Sequence, residues 1–316
     1  MKKKIIAIAG PTASGKTSLA IEIAKAVGGE VISNDSMQVY RGMEIGTAAP
    51  TAEEMDGIVH HMVGVCDPSE EFSCAEYADR ARQIIDDICA RGKVPVFCGG
   101  TGLYLDASLT LSDLSEGGKD EGVRERLSAF AEKEGNHALH ERLREIDPHA
   151  ADAIHENNVR RVIRALEIYE TTGVTKTEWD RRSKERELPY DVYMGIISFF
   201  DRELLYSRIN RRVHLMMEAG LLCEARELFE KGLLCRDKPA FQAIGYKELI
   251  PYFENSSTLE ECIEAIQLSS RRYAKRQITW FKRYSDACIL VADENGTVKT
   301  AKELCREFLE KTDFEV

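Results

Sequence analysis

The amino-acid sequence predicts an α/β fold, in which a P-loop-containing parallel sheet core is flanked by helices and carries a helical insertion domain. Strand-like and helical patterns alternate through the first hundred residues, which is typical of parallel sheets. The segment GPTASGKT (10–17) lies between a strand-like run and a helical pattern. Strand-like runs then stop from about 116 to 186 and return near 192.

The predicted core strands are short apolar runs bounded by turn residues. In chain order they are IIAIA (5–9), EVISN (30–34), HHMVGV (60–65), VPVFCG (94–99) and VYMGII (192–197), and a last apolar run, ACILVA (287–292), follows the C-terminal helical patterns. We expect the helix after the segment 10–17 to end at Gly28 and Gly29, because glycine readily adopts the left-handed conformation of a helix C terminus.

The insertion is predicted from charged helical segments such as EGVRERLSAFAEKEG (121–135) and NNVRRVIRALEIYETTG (157–173). We expect a P-loop core formed by 1–115 and 187–316, with a helical insertion at 116–186. The acidic, glycine-rich SDLSEGGKDEG (112–122) is typical of a linker.

Composition limits the class of protein. With 316 residues, 43% of them apolar, the chain can bury a large core. It contains no long apolar stretch and no signal-peptide pattern, so we expect a cytoplasmic protein without a membrane span. Its nine cysteines form no C-x-x-C pair, which argues against a zinc or disulfide framework. His60 and His61 are adjacent in a strand-like run and point to opposite faces, so we interpret them as packing residues.

The segment 10–17 matches the phosphate-binding pattern G-x-x-x-x-G-K-[ST] through Gly10, Gly15, Lys16 and Thr17. Glycines allow backbone N–H groups to approach phosphate oxygens, and the start of the following helix adds its positive dipole end. Lys16 would neutralise charge and Thr17 could ligate Mg²⁺. The sequence therefore predicts a phosphate site.

A second candidate group lies where the second strand ends. An ordinary ATPase of this class holds its metal with an Asp at a strand end, yet VPVFCGG (94–100) ends in glycines. The best acid is instead Asp35, which follows EVISN at the carboxyl edge of the sheet. Asp35 could cap a helix or ligate Mg²⁺, or it could act as a general base.

A basic segment near the C terminus offers a contact for a polyanion. The formal net charge of −11 would repel a nucleic acid at long range, so binding needs a local patch. At about 100° per residue, six cations of SSRRYAKRQITWFKRY (269–284) share an arc of about 140° on a helix. They are Arg271, Arg272, Lys275, Arg276, Lys282 and Arg283. This face would bind phosphates, or it is merely solvated.

Eight motifs occur in order along the chain. They are GPTASGKT (10–17), SNDSMQVYRGMEIGTAAPT (33–51), HHMVGVCDP (60–68), GGTGLYLDA (99–107), NNVRRVIRALEIYETTG (157–173), SRINRRVHLMMEAGL (207–221), FQAIGYKEL (241–249) and RRYAKRQITWFKRY (271–284). Together they closely resemble the bacterial tRNA dimethylallyltransferase family, also called the IPP transferase family. The match runs from residue 1 to about 290.

The resemblance implies a specific reaction. The family transfers a dimethylallyl group from dimethylallyl diphosphate to N6 of adenosine 37 in tRNAs reading codons that begin with U, and it releases pyrophosphate. The phosphate loop would then hold a leaving diphosphate, with Mg²⁺ as cofactor, although the same loop type binds ATP in other proteins. The implied partner is the anticodon stem-loop of tRNA, and we expect a monomer without an obligate protein partner.

The resemblance also assigns roles to residues. The catalytic set is Asp35 as the base, Thr101 near the reacting amine, and Arg208 as a diphosphate clamp with Arg212 as a further candidate. The diphosphate would be bound by Gly10, Pro11, Thr12, Ala13, Ser14, Gly15, Lys16 and Thr17. The implied tRNA contacts are Asp35, Ser36, Met37, Gln38, Thr101, Arg124, Arg160, Arg161, Val162, Ile163, Arg164, Gln242, Ala243, Ile244, Gly245, Tyr246, Lys247, Arg271, Arg272, Lys275 and Arg276.

Individual residues also have simpler interpretations. Thr101 could be a turn hydroxyl, and Gly245 and Tyr246 could form a turn and a core aromatic. Three other functions would use the same loop: a small-molecule kinase, a prenyltransferase for free adenine nucleotides, and an NTP-dependent RNA-binding module. None of the three explains the phosphate loop, Asp35 and the basic helix together.

Overall fold

The structure is a computed structural model that describes residues 2–110, 120–185, 188–236, 238–294 and 296–314. The chain divides into two compact units, one formed by Met1–Ser108 with Tyr190–Val316 and the other by Leu109–Pro189. The expected insertion at 116–186 lies within the second unit. Residues 112–119 of the expected linker lie outside the described residues. No helix in the described ranges is long and apolar enough to cross a membrane.

The first unit is built on a six-stranded parallel sheet with the strand order β3-β2-β4-β1-β5-β6. The strands are β1 (Lys3–Ala9), β2 (Glu30–Asn34), β3 (His60–His61), β4 (Pro95–Gly99), β5 (Tyr190–Ser198) and β6 (Cys288–Val291), and a separate antiparallel ribbon comprises β7 (Asp293–Glu294) and β8 (Thr297–Val298). Because all six strands run in one direction, their carboxyl ends share one edge. The predicted α/β class is confirmed.

One predicted strand is much shorter than expected. Of the run 60–65, only His60 and His61 pair with β2, because Met62 has a φ of +63° and leaves the extended conformation. His61 is also more than a packing residue, since its Nε2 lies 2.8 Å from a carboxylate oxygen of Glu30.

The buried carboxylate of Glu30 is the centre of a charge cluster at the start of β2. Its side chain is 3% exposed and accepts hydrogen bonds from Arg91 and Lys93 as well as contacting His61. The bonds from Arg91, then those from Lys93 and His61, hold the pKa of Glu30 far below its usual range despite its burial. This cluster ties β2 to the loop before β4.

Helices cover both faces of the sheet and form the second unit. They are α1 (Lys16–Val27), α2 (Ala52–Met55), α3 (Cys74–Ala90), α4 (Gly102–Leu109), α5 (Glu121–Glu134), α6 (Asn136–Ile146), α7 (Pro148–Ala153), α8 (Val159–Thr172), α9 (Lys176–Glu185), α10 (Arg202–Glu218), α11 (Leu221–Glu230), α12 (Ile250–Phe253), α13 (Leu259–Phe281) and α14 (Ala301–Thr312), with 3-10 turns at Pro239–Gln242 and Lys247–Leu249. As predicted, α1 ends at Gly28, whose φ is +63°.

Each unit has its own apolar core. In the first unit, α1 packs with α14 against the sheet, so Ile23, Ile8 and Phe308 belong to one buried cluster. In the second unit, Leu143 and Leu166 are central members of a separate cluster. The apolar periodicity of these helices is therefore explained by packing within each unit.

Candidate active site

The phosphate loop connects β1 to α1 at the carboxyl edge of the sheet. Gly10 must be glycine here, because its φ is +148° and an added Cβ would lie 2.8 Å from the carbonyl oxygen of Ile197. Ala13 is also left-handed, with a φ of +61°, and Gly15 precedes α1 with a φ of +93°. The loop lines a cavity of ≈ 910 Å³ in the first unit.

Lys16 is the first residue of α1, directly after this loop. Its Nζ donates a hydrogen bond to the carbonyl oxygen of Pro11 at 2.7 Å. Burial, helped by the nearby Arg212, lowers its pKa to about 8 against the opposing effects of Cys98 and Asp35. Charging Lys16 is therefore costly until an anion compensates for the lost water.

Ser14 gives a second indication of an anion site. Its side chain is buried, with 3% exposure, and its hydroxyl has no hydrogen-bond partner among the described residues. A buried hydroxyl without a partner is destabilising. A phosphate oxygen in the loop would accept its hydrogen bond.

Helix α10 brings arginines to the loop. Arg208 donates from Nε to the carbonyl oxygen of Ala13 at 3.0 Å, and Arg208, Arg211 and Arg212 all line the large cavity. Burial lowers the pKa of Arg208 and of Arg212, as expected for cations held away from water. These side chains concentrate positive charge at one end of the cavity.

The remainder of the large cavity includes an apolar wall. The wall residues are Ile45, Ala48, Ala49, Pro50, Leu215, Met216 and Ala219. Acidic side chains also line the cavity, namely Glu22, Glu44, Glu54 and Asp56. Its cationic phosphate loop and its hydrocarbon side chains suit a ligand with an anionic head and a short apolar tail.

A smaller cavity of ≈ 60 Å³ holds Asp35 and shares Lys16, Thr17, Pro50 and Arg212 with the large one. A carboxylate oxygen of Asp35 accepts a hydrogen bond from the backbone N–H of Met37 at 2.9 Å. Asp35 thus stabilises a turn, and it shares the lining of this cavity with Thr12, Lys16 and Thr17.

Thr101 is linked to the same turn. The Oγ1 atom of Thr101 accepts a hydrogen bond from the backbone N–H of Ser36 at 3.0 Å, and its own backbone N–H donates to the carbonyl oxygen of Asn34 at 3.1 Å. The segment after β2 and the segment after β4 therefore form one joined surface. Met37 is partly exposed on it.

Gln38 is half-buried, and its side-chain amide is hydrogen-bonded within the protein. Its Oε1 accepts from the hydroxyl of Ser33 at 2.7 Å, while its Nε2 donates to the carbonyl oxygens of Thr47 and Ala48 at 3.2 and 3.1 Å. Its side-chain amide is thus engaged in shaping the cavity wall.

Two polar residues of α13 belong to this site although the sequence analysis did not single them out. Tyr273 and Gln277 line the small cavity with Asp35. Burial raises the pKa of Tyr273 to about 12 and the nearby Asp35 raises it too, while a hydrogen bond with Thr101 acts in the opposite direction. Tyr273 therefore keeps its proton at neutral pH. A polar residue on an otherwise apolar helix face was the available clue.

The basic face of α13 is only partly as predicted. Arg272, Lys275 and Arg276 are exposed, but Arg271 donates to Asn210 at 2.5 Å. Arg283 lies beyond the helix end and forms an ion pair with Asp106. Asp106 compensates the charge of Arg283, so fewer than six cations of the predicted arc are available to bind phosphates.

Part of the predicted tRNA-contact run 242–247 is buried. Tyr246 is completely buried, and its hydroxyl donates to a carboxylate oxygen of Glu224 at 2.7 Å. Ala243 is 1% exposed, and Gly245 adopts a φ of +104° in a turn. The side chains of Tyr246 and Ala243 therefore lie in the core, which corrects the predicted tRNA contact through them. Gln242 is exposed, and Ile244 and Lys247 are half-buried.

The candidate tRNA-contact residues of the second unit also differ in their environments. Arg124 and Arg164 both bond to Glu167, whose side chain is 0% exposed. Burial alone would raise the pKa of Glu167, but the hydrogen bonds from these two arginines lower it overall.

The run 160–164 has two kinds of side chain. Val162 and Ile163 are buried in the core of the second unit, which corrects their predicted side-chain contact with tRNA. Arg160 and Arg161 are exposed on α8. The exposed arginines are the members of this run that can meet a phosphate.

The parallel sheet, the loop between β1 and α1, and the arginines facing it define a P-loop protein that binds an anionic substrate. Comparison with known families narrows this class. The model described as IPP transferase matches residues 38–284, and the model described as isopentenyl transferase matches residues 3–63. The chain belongs to the IPP transferase family.

Similar proteins carry consistent names. The tRNA dimethylallyltransferase of Halalkalibacterium halodurans is 52% identical over 282 residues, covering 89% of each chain, and that of Bacillus cytotoxicus is 50% identical over 285 residues, covering 90% of this chain and 89% of the other.

Solved structures agree with this family assignment. A full-length tRNA isopentenylpyrophosphate transferase from Bacillus halodurans is similar with a TM-score of 0.70, 45% identity and 99% coverage of both chains. A eukaryotic dimethylallyltransferase acting on tRNA is similar with a TM-score of 0.79 and 33% identity, covering 92% of this chain and 74% of the other.

Proposed function

We propose that this chain transfers a dimethylallyl group from dimethylallyl diphosphate to N6 of adenosine 37 in tRNAs reading codons that begin with U. One observation carries the proposal: the large cavity joins a cationic phosphate loop to an apolar wall, and it shares four residues with the small cavity of Asp35. The names of the similar proteins support the same reaction.

The phosphate loop would stabilise the leaving group. Breaking the allylic C–O bond leaves its electron pair on the diphosphate oxygen, so negative charge grows there. Lys16, Arg208 and the hydroxyl of Ser14 lie at the loop and would stabilise that charge. The product released from this site is pyrophosphate, and no nucleotide is hydrolysed.

Mg²⁺ is the proposed cofactor. The described residues include no cluster of His, Cys, Asp or Glu that could enclose a metal. They do fit an ion that is held mainly by substrate phosphates, because such Mg²⁺ needs few protein ligands. Thr17 lines the small cavity and would be the protein ligand, with Mg²⁺ neutralising charge on the diphosphate.

Asp35 is the proposed general base. The exocyclic amine of adenine is a weak nucleophile, so it attacks well only if its proton leaves as the new C–N bond forms. Asp35 would take that proton. Thr101 and the protonated hydroxyl of Tyr273 would orient the adenine ring beside Asp35.

Exposed cations would hold the anticodon stem-loop. In the first unit they are Arg272, Lys275 and Arg276, and in the second unit they are Arg160 and Arg161. A stacked adenine cannot reach a buried diphosphate, so adenosine 37 would be flipped out of the loop. We further propose that the protein acts as a cytoplasmic monomer.

The test uses the full chain, dimethylallyl diphosphate, Mg²⁺ and an unmodified anticodon stem-loop. Mass spectrometry should find a gain of about 68 Da, the mass of C5H8, on adenosine 37. A matched RNA with guanosine at position 37 should gain nothing. An unchanged stem-loop, or the same gain on the guanosine control, would contradict the proposal.

A further inference from the structure

The side-chain amide of Gln277 bridges two loops of the active site. Gln277 lies on α13 and is 4% exposed. Its Oε1 accepts a hydrogen bond from the backbone N–H of Thr12 at 2.8 Å, within the phosphate loop. Its Nε2 donates to the carbonyl oxygen of Gly100 at 3.1 Å, directly before Thr101.

The orientation of this amide is fixed by its two partners. The N–H of Thr12 can only donate and the carbonyl of Gly100 can only accept. Rotating the amide by 180° would therefore lose both hydrogen bonds. Because the group is buried, water does not replace them at low cost.

Close packing explains the glycines of the motif GGTG. A Cβ on Gly100 would lie 1.8 Å from Nε2 of Gln277, and a Cβ on Gly102 would lie 1.9 Å from Nε1 of Trp280. On the other side of this turn, the side chain of Asn34 donates to the carbonyl oxygen of Thr101 at 3.2 Å. The turn is therefore held between β2 and α13 by contacts on both sides.

We propose that Gln277 is a positioning residue for the transfer reaction. Its amide sets the spacing between the phosphate loop, which holds the leaving group, and the Thr101 turn, which lies beside the nucleophile and Asp35. This inference rests on the proposed function, because the spacing matters only if a donor carbon and an amine must meet between the two loops. A misplacement of about 1 Å between reacting groups can lower the rate of an enzyme by about 100-fold.

Two substitutions test the bridge. Gln277→Met keeps the side-chain length but removes both hydrogen bonds. Gln277→Glu keeps the acceptor for Thr12, but its ionised carboxylate opposes the carbonyl of Gly100. The matched control is Gln267→Met on the same helix, where the side-chain amide lies 3.1 Å from Nε2 of His214 and reaches neither the phosphate loop nor the Thr101 turn.

The assay is single-turnover transfer to the stem-loop, with separate titrations of pyrophosphate and RNA. We expect Gln277→Met to lower the transfer rate by about 10- to 100-fold while both dissociation constants change by less than about threefold. Gln267→Met should match the parent. The rate of Gln277→Glu relative to the parent should rise as the pH falls, since a protonated carboxyl can again donate to Gly100.

A transfer rate of Gln277→Met within about threefold of the parent would overturn the proposal, as would a loss expressed only in substrate affinity. If Gln277→Met does not fold, a flat pH ratio for Gln277→Glu overturns it instead. A parent protein that transfers nothing would contradict the proposed function rather than this inference.

Discussion

Proton uptake on diphosphate binding tests the electrostatics of the phosphate loop. The lowering of the Lys16 pKa from 10.5 to about 8 means that charging this side chain before an anion binds costs about 3 kcal/mol. A bound diphosphate would restore the usual pKa, because opposite charges at about 4 Å favour the protonated amine. Binding should therefore draw a proton from solution.

The magnitude follows from this pKa. At about pH 8 about half of the Lys16 side chains are unprotonated before binding, so about 0.5 proton is taken up per site, falling to about 0.1 at about pH 7. Because a proton is gained, affinity weakens as pH rises. The dissociation constant for pyrophosphate should increase about tenfold between about pH 7 and about pH 9.

Calorimetry in buffers of different ionisation enthalpy measures this uptake. Lys16→Arg is the matched variant, because its guanidinium stays protonated throughout this pH range. The difference between parent and variant cancels the titration of pyrophosphate itself. Equal proton uptake by the two proteins at about pH 8 would refute the assignment of a lowered pKa to a lysine that contacts the anion.

Other substitutions separate the roles of individual side chains. Asp35→Asn should lower the single-turnover rate by about 10² to 10⁴-fold without changing either substrate's dissociation constant more than about threefold, because an amide cannot take the amine proton; a rate near that of the parent would exclude the base role. Replacing Arg272 and Lys275 with Gln should weaken RNA binding and reduce the slope of log K against log salt by about 1.5, measured by filter binding; an identical slope would make this face ordinary solvated surface. Glu30→Gln should lower the free energy of unfolding in urea by about 2 to 4 kcal/mol at neutral pH. That difference should shrink as the pH falls below about 4.5, because the lowered pKa of Glu30 stabilises the fold only while its carboxylate is ionised. Glu76→Gln, in an exposed pair with Arg80, is the control and should cost less than about 1 kcal/mol, so equal losses would contradict a special role for Glu30.

Local motifs explain why the phosphate loop was predicted from sequence. Its glycines, Lys16 and Thr17 lie within eight consecutive residues between a strand and a helix. Asp35 was predicted for a similar reason, because the end of a parallel strand is an expected site position. Such features depend on backbone geometry that neighbouring residues determine.

Contacts between distant segments were not predictable in this way. A helical wheel separates a packed face from an exposed face, but it does not say what a buried polar group will contact. Gln277 reaches Thr12 and Gly100 across the first unit, and Arg283 is paired with Asp106. The sequence left Tyr246 open between a tRNA contact and a core aromatic, and its hydrogen bond to Glu224 is seen only in the fold. Only the folded chain identifies these partners.

The most direct test of the central claim is the stoichiometry of a single reaction without any nucleotide. The full chain is mixed with dimethylallyl diphosphate, Mg²⁺ and the anticodon stem-loop, and both pyrophosphate and prenylated RNA are counted. The account predicts about one pyrophosphate for each dimethylallyl group transferred, with no requirement for ATP. Transfer that begins only when ATP is added, with release of ADP and phosphate, would contradict it.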